Sequence, residues 1–199
     1  MKLIILDRDG VINHDRSDYV KSADECLPVE GSIEAIVRLH QAGFTVVVAT
    51  NQSGLARGKF DLDDLEAIHH KLSRLCEEAG GAISAIFYCP HAPQDECKCR
   101  KPKAGLLDAI EAEFNTSLDG VVFVGDSLRD IQAGEVKGCL PVLVKTGKGA
   151  ATLAALEASD EAADKALLAR LKVFDHLAAA VDDLLDHSHG NDTCSTSAP

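Results

Sequence analysis

Five short apolar runs, at residues 3–6, 45–49, 83–89, 121–124 and 140–144, recur along this chain, and they are largely continuous rather than alternating with polar residues. A strand with one wet face alternates; a strand covered on both faces does not. Between the runs lie segments of helical period. Residues 30–41 carry Ile33, Ile36, Val37 and Leu39 at helical spacing and end before Gly43. Residues 61–79 carry Leu62, Leu65, Ile68, Leu72 and Leu75 behind Asp61 as N-cap, with Gly80 and Gly81 closing the helix. Residues 104–114 and a shorter segment ending at Lys137 continue the alternation. Strand-helix-strand units of this length join by right-handed crossovers, so the expected class is α/β with a doubly wound parallel sheet.

The rest of the chain adds little to that core. Residues 150–169 are rich in Ala and acids and are expected to be helical outside the sheet; Val173 and Phe174 suggest a short last strand, and residues 175–185 a closing helix. A length of 199 residues suits one domain over 1–186, with the polar stretch 187–199, including His187 and His189, expected to be a disordered tail. The net charge of -12 argues against non-specific binding to nucleic acid or anionic membrane. The first apolar run meets Asp7 too soon for a signal peptide, and no run reaches membrane-spanning length. A monomeric, cytoplasmic protein acting on a small molecule is expected.

Chemistry gathers where the strands end. The first run leads into Asp7 and Asp9, one residue apart, with Gly10 allowing a tight turn. Such acids are often solvated loop charges, but at the carboxyl edge of a parallel sheet they face the crevice where ligands bind. The second run leads into Thr50, Asn51, Gln52, Ser53 and Gly54, the third into a cysteine cluster and Lys101, and the fourth into Gly125, Asp126 and Ser127. A nucleophile, an acid, a cation and hydroxyl donors on one edge match the needs of phosphoryl transfer. The loop 13–25 crosses the same edge, where Asp15, Arg16, Ser17, Asp18 and Tyr19 either line a pocket or form a solvated surface. Residues 145–149 read as a basic, flexible loop, and His69 and His70 as surface or boundary positions on their helix rather than ligands.

Seven cysteines, an odd number with one cluster, point to metal rather than to a disulfide framework. Cys89, His91, Cys97 and Cys99 supply four soft or borderline ligands within eleven residues. That set suits tetrahedral zinc, and four protein ligands close the coordination sphere. The ion is then structural, and its task is to pin the loop presenting Arg100 and Lys101.

The motifs Asp7-Arg8-Asp9-Gly10-Val11, Thr50-Asn51-Gln52, Lys101 and Gly125-Asp126-Ser127-Leu128-Arg129-Asp130 occur in the order found in the haloacid-dehalogenase superfamily of aspartate-nucleophile phosphatases, which the chain resembles over residues 3–130. Within it, the extended runs 7–13 and 50–60, with Cys89-Pro90-His91 and Cys97-Lys98-Cys99-Arg100-Lys101-Pro102, resemble the D-glycero-D-manno-heptose 1,7-bisphosphate 7-phosphatases. The resemblance implies a Rossmann-like sheet with a minimal cap and a zinc-binding loop, and a role for Arg100 in recognising substrate.

Physical roles follow. Asp7 would attack phosphorus, and Asp9 would protonate the leaving oxygen and later accept a proton from water. Asp7, Asp9 through its backbone carbonyl, and Asp126 would hold Mg²⁺, with Asp130 either adding to that set, orienting Lys101 or lying on a helix surface. Thr50 and the backbone N–H groups of Asn51 and Gln52 would donate to phosphoryl oxygens, with Ser53 beside them, and Lys101 would offset their charge. The five residues between His91 and Cys97, and Ser127 where better-known relatives carry lysine, both bear on substrate recognition. Histidinol-phosphate phosphatase is the nearest rival reading; a zinc-stabilised binding protein without activity is the rival from another class.

Overall fold

The computed structural model describes residues 1–188. Six parallel strands form one sheet: β1 Lys2–Leu6, β2 Phe44–Asn51, β3 Ala85–Cys89, β4 Val122–Gly125, β5 Leu140–Val144 and β6 Lys172–Phe174. Their order is β3-β2-β1-β4-β5-β6, so β1 lies at the centre, paired with β2 on one side and β4 on the other. The chain leaves β1 toward β2 and returns at β4, which makes the β1/β4 boundary the switch point where an open sheet leaves a crevice.

Among the described residues seven α-helices flank the sheet: α1 Ser32–Gln41, α2 Leu62–Glu78, α3 Gly105–Phe114, α4 Leu128–Val136, α5 Gly149–Glu157, α6 Ala162–Leu168 and α7 Leu177–Ser188. Because side chains alternate along a strand, Ile4 and Leu6 of β1 pack with Ile36, Leu39, Ile68, Leu72 and Val181 on one face, while Leu3 and Ile5 pack with Leu106, Leu107 and Ile110 on the other. A third cluster places Leu143 of β5 with Ile131, Leu156 and Leu167. Each fully buried side chain of this kind contributes about 1.5–3 kcal/mol.

Asp61 caps α2 by accepting the Asp64 N–H at 2.9 Å, while Asp64 accepts the Asp61 N–H at 3.1 Å. The buried face of α2 runs through Leu65, Ile68, Leu72 and Cys76. Leu62, expected on that face, is exposed; it is the first helical residue, and the buried face begins one turn later at Leu65. The helical stretch expected over 150–169 is two helices, parted at a turn where Ser159 Oγ accepts the Glu161 N–H. Helix α7 continues through His187 to Ser188, past the expected start of the tail. The remainder of that expected tail, with His189, lies outside the described residues.

Candidate active site

The carboxyl edge of β1 and β4 opens into a cleft of about 690 Å³ that contains Asp7, Asp9, Thr50, Lys101, Asp126 and Asp130. Asp7 follows β1 directly, and its N–H extends the ladder to Val124 O at 2.9 Å, which sets it against the Gly125-Asp126 turn. The Arg8 N–H, at 2.7 Å, and Lys101 Nζ, at 3.0 Å, both approach Asp7 Oδ1. Its Oδ2 carries no hydrogen bond among the described residues. Burial raises the Asp7 pKa; Lys101 opposes the rise, Asp130, Asp126 and Asp9 add to it, and the value is about 8.

Lys101 is almost wholly buried, and its ammonium lies against Ala49 O at 2.7 Å, Asp7 at 3.0 Å and Asp130 at 2.5 Å. Burial works against its charge, but Asp130 and Asp7 outweigh it and hold the group above its ordinary range. The Asn51 side chain brackets the backbone here, accepting the Lys101 N–H and donating to Lys101 O, both at 3.1 Å. Asp130 is buried rather than a surface acid; its other oxygen accepts the N–H and O–H of Ser127 at 3.0 and 2.6 Å.

Asp126 sits between two glycines. A Cβ on Gly10 would lie 2.1 Å from Asp126 Oδ2 and one on Gly147 2.2 Å from it, and both glycines have positive φ. That oxygen accepts the Lys148 N–H at 2.8 Å. Burial raises the Asp126 pKa to about 6, with the Lys148 N–H opposing and Asp130 assisting. Carboxylate oxygens of Asp7, Asp126 and Asp130 all lie within 4.8 Å of one another. Asp7 and Asp126 offer hard oxygen donors that suit a divalent cation such as Mg²⁺, while both oxygens of Asp130 face Lys101 and Ser127.

Asp9 is turned toward Arg8, whose Nε and Nη2 meet Oδ1 at 3.1 and 3.0 Å while Nη2 meets Oδ2 at 2.9 Å. Asn13 donates to Oδ1 at 2.8 Å and Gln52 to Oδ2 at 2.9 Å. Burial would raise the pKa of Asp9; the Arg8 charge and the Asn13 and Gln52 bonds prevail and hold it below the ordinary carboxylate range. The same Gln52 amide also donates to Thr50 Oγ1 at 2.9 Å, which leaves the Thr50 hydroxyl hydrogen for another acceptor. Gln52 therefore differs from expectation. Its backbone N–H goes to Cys89 O at 2.8 Å, because β2–β3 pairing continues past the strand end, and its side chain organises Asp9 and Thr50 instead.

Of the loop expected to frame the site, Asp15, Arg16, Ser17 and Tyr19 line the cleft, as does Ser53. Asp18 does not; it is drawn away by ion pairs to Lys21 at 3.0 Å and Lys59 at 3.4 Å. Cys89, His91, Cys97 and Cys99 converge, with Sγ–Sγ distances of 3.6, 3.2 and 3.5 Å and His91 Nδ1 at 3.7 Å from Cys89 and 3.3 Å from Cys99. Zinc–sulfur bonds of about 2.3 Å in a tetrahedron put sulfurs about 3.8 Å apart, so the set fits zinc after a small expansion. Arg100 is tied to this loop through His91 O at 3.2 Å.

Lys148, Arg57 and Arg129 are among the cleft residues that escaped the sequence reading. Lys148 reaches Asp15 at 2.7 Å from the loop after β5, which is a fifth chemical strand end rather than a bare basic linker. Arg57 and Arg129 line the cleft mouth and form no ion pair among the described residues. Burial and then the charges of Arg129 and Arg57 lower the Arg100 pKa, so the three guanidiniums share one region. Arg57 lies within the noted run 50–60 and Arg129 within the Asp126 motif, so only their direction was hidden.

A family model described as haloacid dehalogenase-like hydrolase matches residues 2–138. A D-glycero-beta-D-manno-heptose-1,7-bisphosphate 7-phosphatase of Pseudomonas aeruginosa is 52% identical over 183 residues, covering 92% of this chain and 97% of its own length. The enzyme of the same name from Bordetella bronchiseptica is 56% identical over 154 residues, 77% of this chain and 86% of the relative. The crystal structure of D,D-heptose 1,7-bisphosphate phosphatase from B. bronchiseptica, complexed with magnesium and phosphate, superposes with a TM-score of 0.86 at 50% identity, covering 94% of this chain and 99% of that one. The corresponding Burkholderia thailandensis structure gives 0.69 at 41% identity over 93% and 99%.

Proposed function

The chain belongs to the haloacid dehalogenase-like hydrolases, and from that premise we propose that it removes the 7-phosphate of D-glycero-β-D-manno-heptose 1,7-bisphosphate through an aspartyl-phosphate intermediate. The observation that carries this reading is the cleft itself, with Asp7 beside Lys101 and Asp126 at its floor and three arginines at its mouth. A bisphosphate places one anionic group at each end. The reacting phosphate meets the floor, and Arg57, Arg100 and Arg129 receive the other. Histidinol phosphate carries cationic groups where those arginines stand, so the same charges oppose it.

Asp7 Oδ2, free of hydrogen bonds, attacks phosphorus in line with the bond to the sugar oxygen, and that bond breaks as the acyl phosphate forms. Asp9 delivers a proton to the departing oxygen. Approach of a phosphate dianion adds negative charge beside Asp9 and favours its protonated form, against the hold of Arg8. Asp9 then takes a proton from the water that hydrolyses the aspartyl phosphate. The Thr50 hydroxyl and the Lys101 ammonium bind the phosphoryl oxygens. Asp7, Asp126 and the Asp9 carbonyl are the residues to hold Mg²⁺, which when bound supplies the positive charge that lets carboxylates and phosphate share the site. Zinc on Cys89, His91, Cys97 and Cys99 holds the strand-to-helix loop so that Arg100 and Lys101 keep their places. The same reading makes the chain a monomeric cytoplasmic enzyme, in keeping with cysteines that stand free at positions 26, 76, 89, 97, 99 and 139.

The test is phosphate release with Mg²⁺ from both anomers of the bisphosphate and from histidinol phosphate. Turnover of the β anomer, abolished by Asp7→Asn, is expected; turnover of histidinol phosphate alone overturns the assignment.

A further inference from the structure

We propose that Arg8 and His69 act as a positioning pair for Asp9, so that His69, on the far side of Arg8 from the chemistry, sets how well the leaving oxygen is protonated. The inference rests on the phosphatase reading above. Arg8 is fully buried, and two nitrogens of its guanidinium grip the Asp9 carboxylate. Its third nitrogen, Nη1, lies 3.3 Å from His69 Nε2. A guanidinium only donates, so His69 Nε2 accepts and the ring proton sits on Nδ1. Burial, then the Arg8 charge, lowers the His69 pKa to about 4, which keeps the ring an acceptor at neutral pH. The ring itself is braced against Tyr88 of β3, with centroids 5.7 Å apart.

The guanidinium plane is thus held at both ends, by Asp9 on one and His69 on the other. Asn13 and Gln52 grip the same carboxylate from other directions, and their second bonds, to His14 O and Thr50 Oγ1, do not lead to α2. Arg8 is the link through which α2 reaches the reacting group, and without an acceptor at Nη1 the planar fork is free to swivel and carry Asp9 with it. Proton transfer depends steeply on such geometry.

The experiment compares kcat/KM for His69→Leu and His69→Gln on two esters, the heptose bisphosphate and p-nitrophenyl phosphate. The second has a leaving group that departs without a proton. This constant covers every step through departure of the leaving group, so it isolates the acid role of Asp9. His69→Leu should lose about ten-fold on the sugar ester and less than about two-fold on the aryl ester, while His69→Gln, whose side-chain oxygen accepts from Nη1, recovers most of the loss. Equal losses on the two esters, or an unchanged value for His69→Leu on the sugar, overturn the inference. A wild-type chain inactive on both esters overturns the phosphatase reading and this inference with it.

Discussion

The Lys101 ammonium lies 2.5 Å from Asp130, and both side chains are almost completely buried. Asp130 is therefore placed to hold the Lys101 ammonium, since its remaining oxygen is spent on Ser127. Asp130→Asn leaves a buried ammonium with one carboxylate fewer. Removing one partner of such a pair costs about 3 kcal/mol, to be read by denaturant unfolding, and kcat should fall while Asp7 and Asp126 remain in place.

Gly10 backs the Asp126 carboxylate from a positive φ. Gly10→Ala adds backbone strain of about 1–3 kcal/mol and drives a methyl into Asp126 Oδ2. The Mg²⁺ concentration for half-maximal activity should rise about ten-fold, as expected when one ligand of a metal site is displaced. Gly147→Ala, which meets the same oxygen, should behave alike. Titrating activity against Mg²⁺ in both variants checks this.

Asp7 keeps its proton up to about 8 and Asp126 up to about 6. In an unfolded chain both are lost near 4. Between those values the native state binds more protons than the unfolded state, so these two groups make metal-free protein less stable as pH rises. Mg²⁺ binds the ionised carboxylates, so its stabilising effect runs the other way and grows with pH. Thermal melting with and without Mg²⁺ should show a larger shift at about pH 8 than at about pH 5.

Arg57 and Arg129 are expected to bind the distal phosphate. Arg57→Gln or Arg129→Gln should raise KM for the bisphosphate about ten-fold, since a hydrogen bond to a charged group is worth about 1.5–3 kcal/mol. Kinetics on p-nitrophenyl phosphate, which has no second phosphate, should be unchanged.

Purified protein should contain about one zinc per chain, measured by elemental analysis. Cys99→Ser opens the site and should lower Tm by roughly 5–10 °C through loss of a few kcal/mol. Activity should fall with it, because Arg100 is tied to His91 O in the same loop.

The central alternation of strands and helices was legible because strand periodicity and helix caps are local properties. Leu140–Val144 coincides with its expected strand, and Asp61 caps α2 as its sequence indicates. The convergence of the strand-end motifs was legible for a related reason: a parallel sheet sends every strand end to one edge, so residues far apart in sequence meet without any loop being known. Order along the chain placed Asp7, Thr50, Lys101 and Asp126 on one rim.

The sequence alone determined which chemical groups stand at that rim. Tertiary structure decided what each group does there, because a buried polar atom must find a partner and partners are competed for in three dimensions. Gln52 N–H was lost to Cys89, Asp18 to Lys21 and Lys59, and the Asp9 carboxylate to Arg8, whose far side meets a histidine that the sequence marks only as a surface or boundary position without metal-ligand neighbours. Arg57 and Arg100 come from two separate loops and Arg129 from the first turn of α4, and only their folding together brings the three to one cleft.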